Sequence, residues 1–504
     1  MSAPTTSTPE VVQTVDLVEW KSRQGWLALT ATIMASGLAF LDSSVVGVAL
    51  PHIESDLGGG FATLQWVMNG YLLTLGALVL VGGALGDLIG KRRMFLAGVV
   101  GFGITSILCG LAPTSGALVG ARMLQGAAAA LMIPTSLAIL NTIFRGPNRS
   151  RAIGAWSGLS GLFTAIGPFI GGIAVQTGSS GWRWIFLINI PLVIGAVFFA
   201  RAAIPPLVGS RTAASLRSQV DFAGGVLAVV GLLLVVGPLI EVHRLGGALT
   251  AGLVGLGLVV LVAFGLVENR RAKTLSPPPL IRLSLFRIRT FRIANLLTFV
   301  VYGSLGAAFF LVTVSLQVGM GYSAIAAGAA GIPVTIMMAG LSAKMGGVLQ
   351  KVGARPLLTI GPALMAVGMT LLAIMRPGES YWVGVFPGYT IFGLGLACVV
   401  APVTATALTD VSSDQSGAAA GVNNALARIA SLAMITVLPV IAGMATSQAD
   451  TLVSGVAFLD QFRVAMLIAA GTCLAGAVVA AVGFRSGDGR TLLMPDSIDL
   501  TADA

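Results

Sequence analysis

The chain has 504 residues, of which 56% are hydrophobic and only 10% charged, with a net charge of +10. A soluble domain carries about 25% charged residues, so this chain cannot face water throughout and reads as a polytopic membrane protein. Its basic residues are dispersed over short loops instead of forming one face, which argues against a nucleic-acid partner. Its apolar runs are continuous for about 20 residues, which excludes a β-barrel and leaves an all-α fold.

Fourteen apolar stretches of spanning length follow in order: 25–50, 62–86, 93–112, 115–140, 151–176, 183–201, 220–240, 247–267, 292–318, 323–345, 356–376, 381–406, 417–444 and 460–484. The tail 1–24 is polar and acid-containing, without the basic start or cleavage site of a signal peptide. An even count puts both termini on one side. Lys21, Lys91, Arg92, Arg93, Arg145, Arg149, Arg151, Arg201, Arg211, Arg217, the cluster from Arg270 to Arg292, Lys344, Lys351, Arg355, Arg485 and Arg490 all fall on that side. The positive-inside rule makes it the cytoplasm. Cys109, Cys398 and Cys473 each sit in an apolar run as small core residues. His52 and His243 have no companions at ligand spacing, so neither a metal nor a cofactor is expected.

In span one, "ASGLAFLDSSVVGVALP" carries Asp42, the only charge between Gly25 and Pro51. A charge at bilayer depth costs roughly 2.5–3.5 kcal/mol even on mild scales, so such a residue usually persists because it is used. Near the start of span two, Trp66, Asn69 and Tyr71 are candidates to line a cavity; interfacial anchoring explains Trp66 equally well. The loop that follows, "GALGDLIGKRR", supplies Gly83, Asp87, Gly90, Lys91 and Arg92. It reads as a conformational latch, Asp87 accepting from a facing helix N-terminus or pairing with an Arg, or else as an ordinary charged turn. Span four holds Arg122, the only charge between Arg93 and Arg145, with Gln125 beside it. In span five, Gly167-Pro168 removes a backbone hydrogen bond and Gly171 and Gly172 admit a close neighbour. Asp221, Glu241 and Glu268, at the ends of spans seven and eight, read as solvated boundary charges.

The connection 269–291 contains Pro277 to Pro279 and then "LIRLSLFRIRTFR", which suits a segment lying in the interface. Gln317 late in span nine is a further cavity candidate. After span ten, Gly346, Gln350, Gly353 and Arg355 repeat the spacing of Gly83, Asp87, Gly90 and Arg92. The repeat implies two six-span halves, 25–201 and 292–485, with spans seven and eight inserted in 202–268 and a tail at 486–504. In span thirteen, Arg428 and Asn424 share a face. Arg428 either holds the structure together or meets a substrate.

"GALGDLIGKRR", "LVGARMLQGAAAALMIP", "AIGPFIGG", "LDSSVVGVALP" and "WRWIFLINIPL" together resemble motifs of the major facilitator superfamily, in particular its fourteen-helix drug:proton antiporter branch. The resemblance runs from about residue 26 to 485. Gly47, Ala128 and Phe163 depart from it. It implies a monomeric multidrug exporter of the bacterial inner membrane, exchanging protons for amphipathic, often cationic compounds by alternating access. Asp42 and Arg122 would couple protons, and Gly167, Pro168, Gly171 and Gly172 would form the antiporter motif. Without the resemblance, Asp42 and Arg122 equally suit a buried pair holding two helices together. An exporter dedicated to one endogenous product is the nearest alternative reading, and a transport-inactive receptor or scaffold a more distant one. No G-x-x-x-x-G-K-[ST] loop is present to bind a nucleotide.

Overall fold

Apolar runs of this length have one open route in lipid, the helix, because every backbone group must be satisfied internally. The computed structural model describes residues 18–19, 21–178, 180–206, 220–274, 277–412, 415–444 and 456–489, and every long element in it is helical. Most of the two expected tails, and the linker with Arg211 and Arg217, lie outside the described residues.

Six long helices come first: α1 (Arg23–Leu57), α2 (Gly60–Ile89), α3 (Lys91–Gly110), α4 (Ser115–Ile143), α5 (Gly146–Val175) and α6 (Asn189–Ala203). The inserted pair is α7 (Phe222–Ile240) and α8 (Gly247–Thr274). The second six are α9 (Arg289–Val318), α10 (Ile332–Val352), α11 (Ala354–Ala373), α12 (Phe386–Thr409), α13 (Ser416–Ile441) and α14 (Val456–Gly483). Among the described residues, thirteen segments are long and apolar enough to cross a membrane. The remaining expected span is α5, whose shorter apolar stretch is Leu162–Val175. Span ten is broken: a short helix, Ala324–Ala329, precedes α10.

Polar side chains cap several starts, where the first backbone N–H groups lack partners. Ser22 accepts from the Gly25 N–H at 3.0 Å, and Thr114 from that of Ala117 at 3.2 Å. Within α1–α6 the closest packing is of α2 on α4, α1 on α5 and α3 on α4. Within α9–α14 it is of α11 on α12 and α14, and α9 on α13. The inserted α7 leans on α2, and α8 packs against α7 at the periphery.

Glycines set the close crossings. A Cβ on Gly126 would lie 2.3 Å from the Tyr71 carbonyl oxygen, and one on Gly82 would lie 2.0 Å from that of Ala130. The repeated loops share a geometry: Gly90 and Gly353 both take positive φ, 115° and 84°, between one helix and the next. The first glycine of each copy behaves differently. Gly346 faces open space and Gly83 has only an ordinary contact with Pro134, whereas Gly86 is pressed onto Thr135. Ala128, one of the departures from the motif, fits because Gly98 and Gly101 of α3 lie opposite it.

Two expectations need correction. Asp221 and Glu268 are buried, not solvated. Asp221 caps α7 and pairs with Arg271 of α8, while Glu268 accepts from the Ile281 N–H at 2.8 Å. The reason is that α8 continues through Arg271 to Thr274 and brings its last turns against the start of α7. The segment "LIRLSLFRIRTFR" is likewise folded onto protein: Leu285 and Phe291 are buried with Ala419 and Val422 of α13.

Candidate functional site

Asp42 lies halfway along α1, and the fold surrounds it with donors from two other helices, α4 and α6. Arg122 of α4 pairs with its Oδ2 through Nη1, and both side chains are fully buried. Gln125, one turn further along α4, donates from Nε2 to Asp42 Oδ1 at 3.0 Å and to Ser106 Oγ at 2.8 Å. Its Oε1 accepts from Arg122 Nη1 at 2.6 Å. Asn189, the first residue of α6, points Nδ2 at Asp42 Oδ1 (3.5 Å) and at Ser106 Oγ (3.3 Å). Cys109 of α3 lies 3.6 Å from Gln125 Oε1. Burying this pair is tolerable because both carboxylate oxygens and most of the guanidinium find partners; removing one member alone would be expensive.

Arg122 also fixes α2. Its Nε donates to the Val67 carbonyl at 3.1 Å, and its guanidinium sits 4.5 Å from the centroid of the Tyr71 ring, a cation–π distance. Arg122 Nη2 and the Tyr71 hydroxyl have no hydrogen-bond partner among the described protein groups.

The glycines of "AIGPFIGG" join this cluster to the second half. A Cβ on Gly167 would lie 2.0 Å from Ser44 Oγ and 3.2 Å from the Leu41 carbonyl, which flank Asp42; one on Gly171 would lie 2.8 Å from a Val45 methyl. The other side of α5 meets the short helix Ala324–Ala329. There a Cβ on Gly172 would be 2.6 Å from Ile325 Cα, and one on Gly328 would be 2.3 Å from the Pro168 carbonyl oxygen. Phe163, another departure, presses its ring against Gly37 of α1.

Further contacts between halves cluster near the ends remote from the basic loops. Gln65 Nε2 donates to the Ile435 carbonyl at 2.8 Å, and Asn69 Nδ2 to Thr436 Oγ1 at 2.9 Å. Gln317 Nε2 donates to the Val48 carbonyl at 3.0 Å and borders a cavity of about 380 Å³ with His52 and Tyr322. Trp182 and Arg183 of "WRWIFLINIPL" both reach Asp56, at 2.8 and 3.5 Å, tying the α1–α2 turn down. At the basic end, Gly340, Gly346 and Gly347 of α10 face open space.

The expected latch loop is engaged only locally. Asp87 pairs with Lys91 at 3.7 Å and is largely exposed. Lys91 reaches Thr142 of α4 at 3.0 Å, and Arg92 the Arg201 carbonyl at 2.9 Å. Trp66 donates to Glu241 at 2.9 Å, which docks the inserted pair on α2. Arg428 lies halfway along α13, half-buried, its guanidinium 5.8 Å from the Phe40 ring centroid. Asn424 is half-buried one turn earlier on α13.

The structure therefore brings Asp42, Arg122, Gln125 and Tyr71 into one buried cluster. It puts Asn69 and Gln317 at contacts between halves, and leaves the latch residues and Arg428 apart. Sequence reasoning missed Ser106, Cys109 and Asn189. Asn189 was findable as the one amide inside "WIFLINIPL"; Ser106 was one unremarkable hydroxyl among many.

Two sets of six long helices, a pair between them and, among the described residues, one carboxylate far from any helix end and bound by arginine fit a polytopic membrane protein. The chain belongs to the major facilitator superfamily, whose model matches residues 32–435, a family of membrane transporters that carry small molecules. It is 33% identical to the puromycin resistance protein pur8 of Streptomyces alboniger, over 90% of each chain. It is 34% identical to the cephamycin export protein CmcT of Amycolatopsis lactamdurans, over 83% of this chain and 86% of that one. The multidrug transporter protein MdtP of Bacillus subtilis is 32% identical, over 78% and 70%. Among solved structures, an auto-inhibited peptide transporter of the POT family superposes with a TM-score of 0.66 at 14% identity, covering 93% of this chain and 98% of that one. A D-xylose–proton symporter gives 0.64 at 14% identity, covering 92% and 99%. These two show the fold.

Proposed function

We propose that the protein is a proton-coupled antiporter that exports amphipathic small molecules across the bacterial inner membrane, with both termini in the cytoplasm. The observation that carries this reading is the Asp42–Arg122–Gln125–Asn189 cluster, one contact away from both routes between the halves. A carboxylate so placed, buried halfway along a spanning helix beside a guanidinium, is the group that a coupling proton would use. Protonation of Asp42 loosens its hold on Arg122. Through Val67 and Tyr71, Arg122 is linked to α2, which carries Gln65 and Asn69 to α13. Through Leu41 and Ser44, Asp42 is linked to α5 and hence to the helix Ala324–Ala329. A proton can thereby bias the packing of one half on the other, the bistable element that alternating access needs.

Contacts concentrated at the non-basic end, with open space around α10 at the basic end, fit a cytoplasm-open conformation. Asp87, exposed here, would find its facing partner when that end closes. The names of the relatives, a puromycin resistance protein and a cephamycin export protein among them, support antibiotic-like cargo. An exporter dedicated to one product is also consistent with them. The chain acts as a monomer, since the cluster is complete within one copy.

The test uses purified protein in liposomes with an internal pH dye and puromycin, a cephamycin and other amphiphiles as triggers. Substrate-triggered proton movement in the parent and its loss in folded Asp42→Asn supports the reading. Equal proton movement in both returns Asp42 to a purely structural role.

A further inference from the structure

Arg428 is a mid-membrane cation for which no counter-charge is visible. It sits 12 residues from the start of α13 and 13 from its end, level with Phe40 of α1. No ion pair or hydrogen bond of its side chain is found among the described residues. Its Cβ lies 3.3 Å from a Cβ built on Gly76 of α2, and one turn on, Ser431 Oγ donates to the Tyr302 carbonyl of α9 at 2.8 Å. Arg428, Phe40 and Tyr302 are each partly exposed at this depth, although the chain around them is mostly buried. Helices α1, α2, α9 and α13, two from each half, thus meet beside Arg428.

The charges at this depth do not cancel. Asp42 is engaged by Arg122, Gln125 and Asn189. Every other acidic residue of the described chain lies within two turns of a helix end or in a connection. One positive charge is left over, in a medium where an unpaired charge is unfavourable. On the neighbouring α2, the Tyr71 hydroxyl has no partner among the described groups. An ammonium group would meet repulsion here and only one carboxylate, already taken. A carboxylate, phenolate or phosphate would meet a cation, a phenol and an aromatic face.

We propose that the space between the halves beside Arg428 takes amphipathic organic anions, with the negative group docked on Arg428. This rests on the exporter reading and narrows its cargo. It also changes the energetics: exporting a monovalent anion against one entering proton moves two charges in the direction the membrane voltage favours, twice the drive of a neutral compound. Exchange of such cargo is therefore strongly voltage-stimulated.

The experiment titrates 1-naphthoate, 1-naphthamide and 1-naphthylmethylammonium into full-length protein in phosphatidylcholine nanodiscs, read by tryptophan fluorescence. Naphthoate is expected to bind about tenfold more tightly than the amide, a charge-assisted hydrogen bond's worth, with the ammonium weakest. Arg428→Gln levels naphthoate with the amide, and Arg428→Lys keeps part of the preference. Equal or weaker binding of naphthoate in the parent, no binding of any probe, or an undiminished preference in Arg428→Gln overturns the proposal. Repeating the titration with phosphatidylglycerol present identifies the source of the anion. Competition points to a lipid headgroup, and unchanged affinity to a free compound. A naphthoate preference without substrate-triggered proton movement would keep the anion site and defeat the exporter reading; proton movement indifferent to cargo charge would do the reverse.

Discussion

Asp42 and Arg122 illustrate how one buried pair can be both structural and functional. Asp42→Asn leaves a buried guanidinium without its counter-charge, a loss of about 3–5 kcal/mol by analogy with other broken buried pairs. Adding Arg122→Gln removes that orphan, so the double variant is expected to regain much of the thermal stability while staying uncoupled. Thermal unfolding of the parent, both single variants and the double variant measures this, and simple additivity would contradict it. Asn189→Ala removes a donor shared by Asp42 and Ser106, and should slow proton-coupled exchange by about five- to tenfold with normal folding. The pair itself was legible in the sequence, because a lone charge in an apolar span needs a partner and Arg122 was one of only two mid-span cations, with Arg428. Its amide and hydroxyl neighbours were not, since a single Asn or Ser in a span costs too little to demand an explanation.

At the scale of the element, the glycines divide into those that packing requires and those that it does not. Gly126→Ala drives a Cβ into the α2 backbone, and overpacking of this kind costs about 1–3 kcal/mol. Gly346→Ala enters open space and should leave the melting temperature nearly unchanged. Gly90→Ala forces an L-residue to a φ of 115°, a strain of about 1–2 kcal/mol. Melting temperatures of the three variants should therefore separate in that pattern, and a Gly346→Ala protein as unstable as Gly126→Ala would contradict it. The repeat showed that two loops share a fold, and its second glycines do turn the chain. It did not show that Gly86 carries the packing in place of Gly83, because only the partner helix decides which glycine is covered. The same limit explains Asp221 and Glu268: hydropathy marks where a span ends, not what its last turn lies against.

For the whole molecule, the all-helical fold and the order of its long helices were readable from hydropathy, although the fifth expected span carries only a shorter apolar stretch, since lipid leaves the backbone so few alternatives. Which faces of the two halves meet was not readable, because those contacts join residues hundreds of positions apart, as Gln65 joins Ile435. The cytoplasm-open arrangement predicts that Gly347→Cys is labelled by a membrane-impermeant maleimide from the cytoplasmic side, whereas Gly171→Cys, if it folds, is protected from either side. Protection at position 347 together with labelling at position 171 would reverse the assignment.

The central claim is that the protonation state of Asp42 sets how the halves pack. Spin labels on Arg151→Cys of α5 and Gly347→Cys of α10 report the gap at the basic end by electron–electron double resonance. In the parent, the distance distribution should shift as pH is varied; in Asp42→Asn it should be the same at every pH. A pH-dependent shift of equal size in Asp42→Asn would contradict the account and place the proton elsewhere.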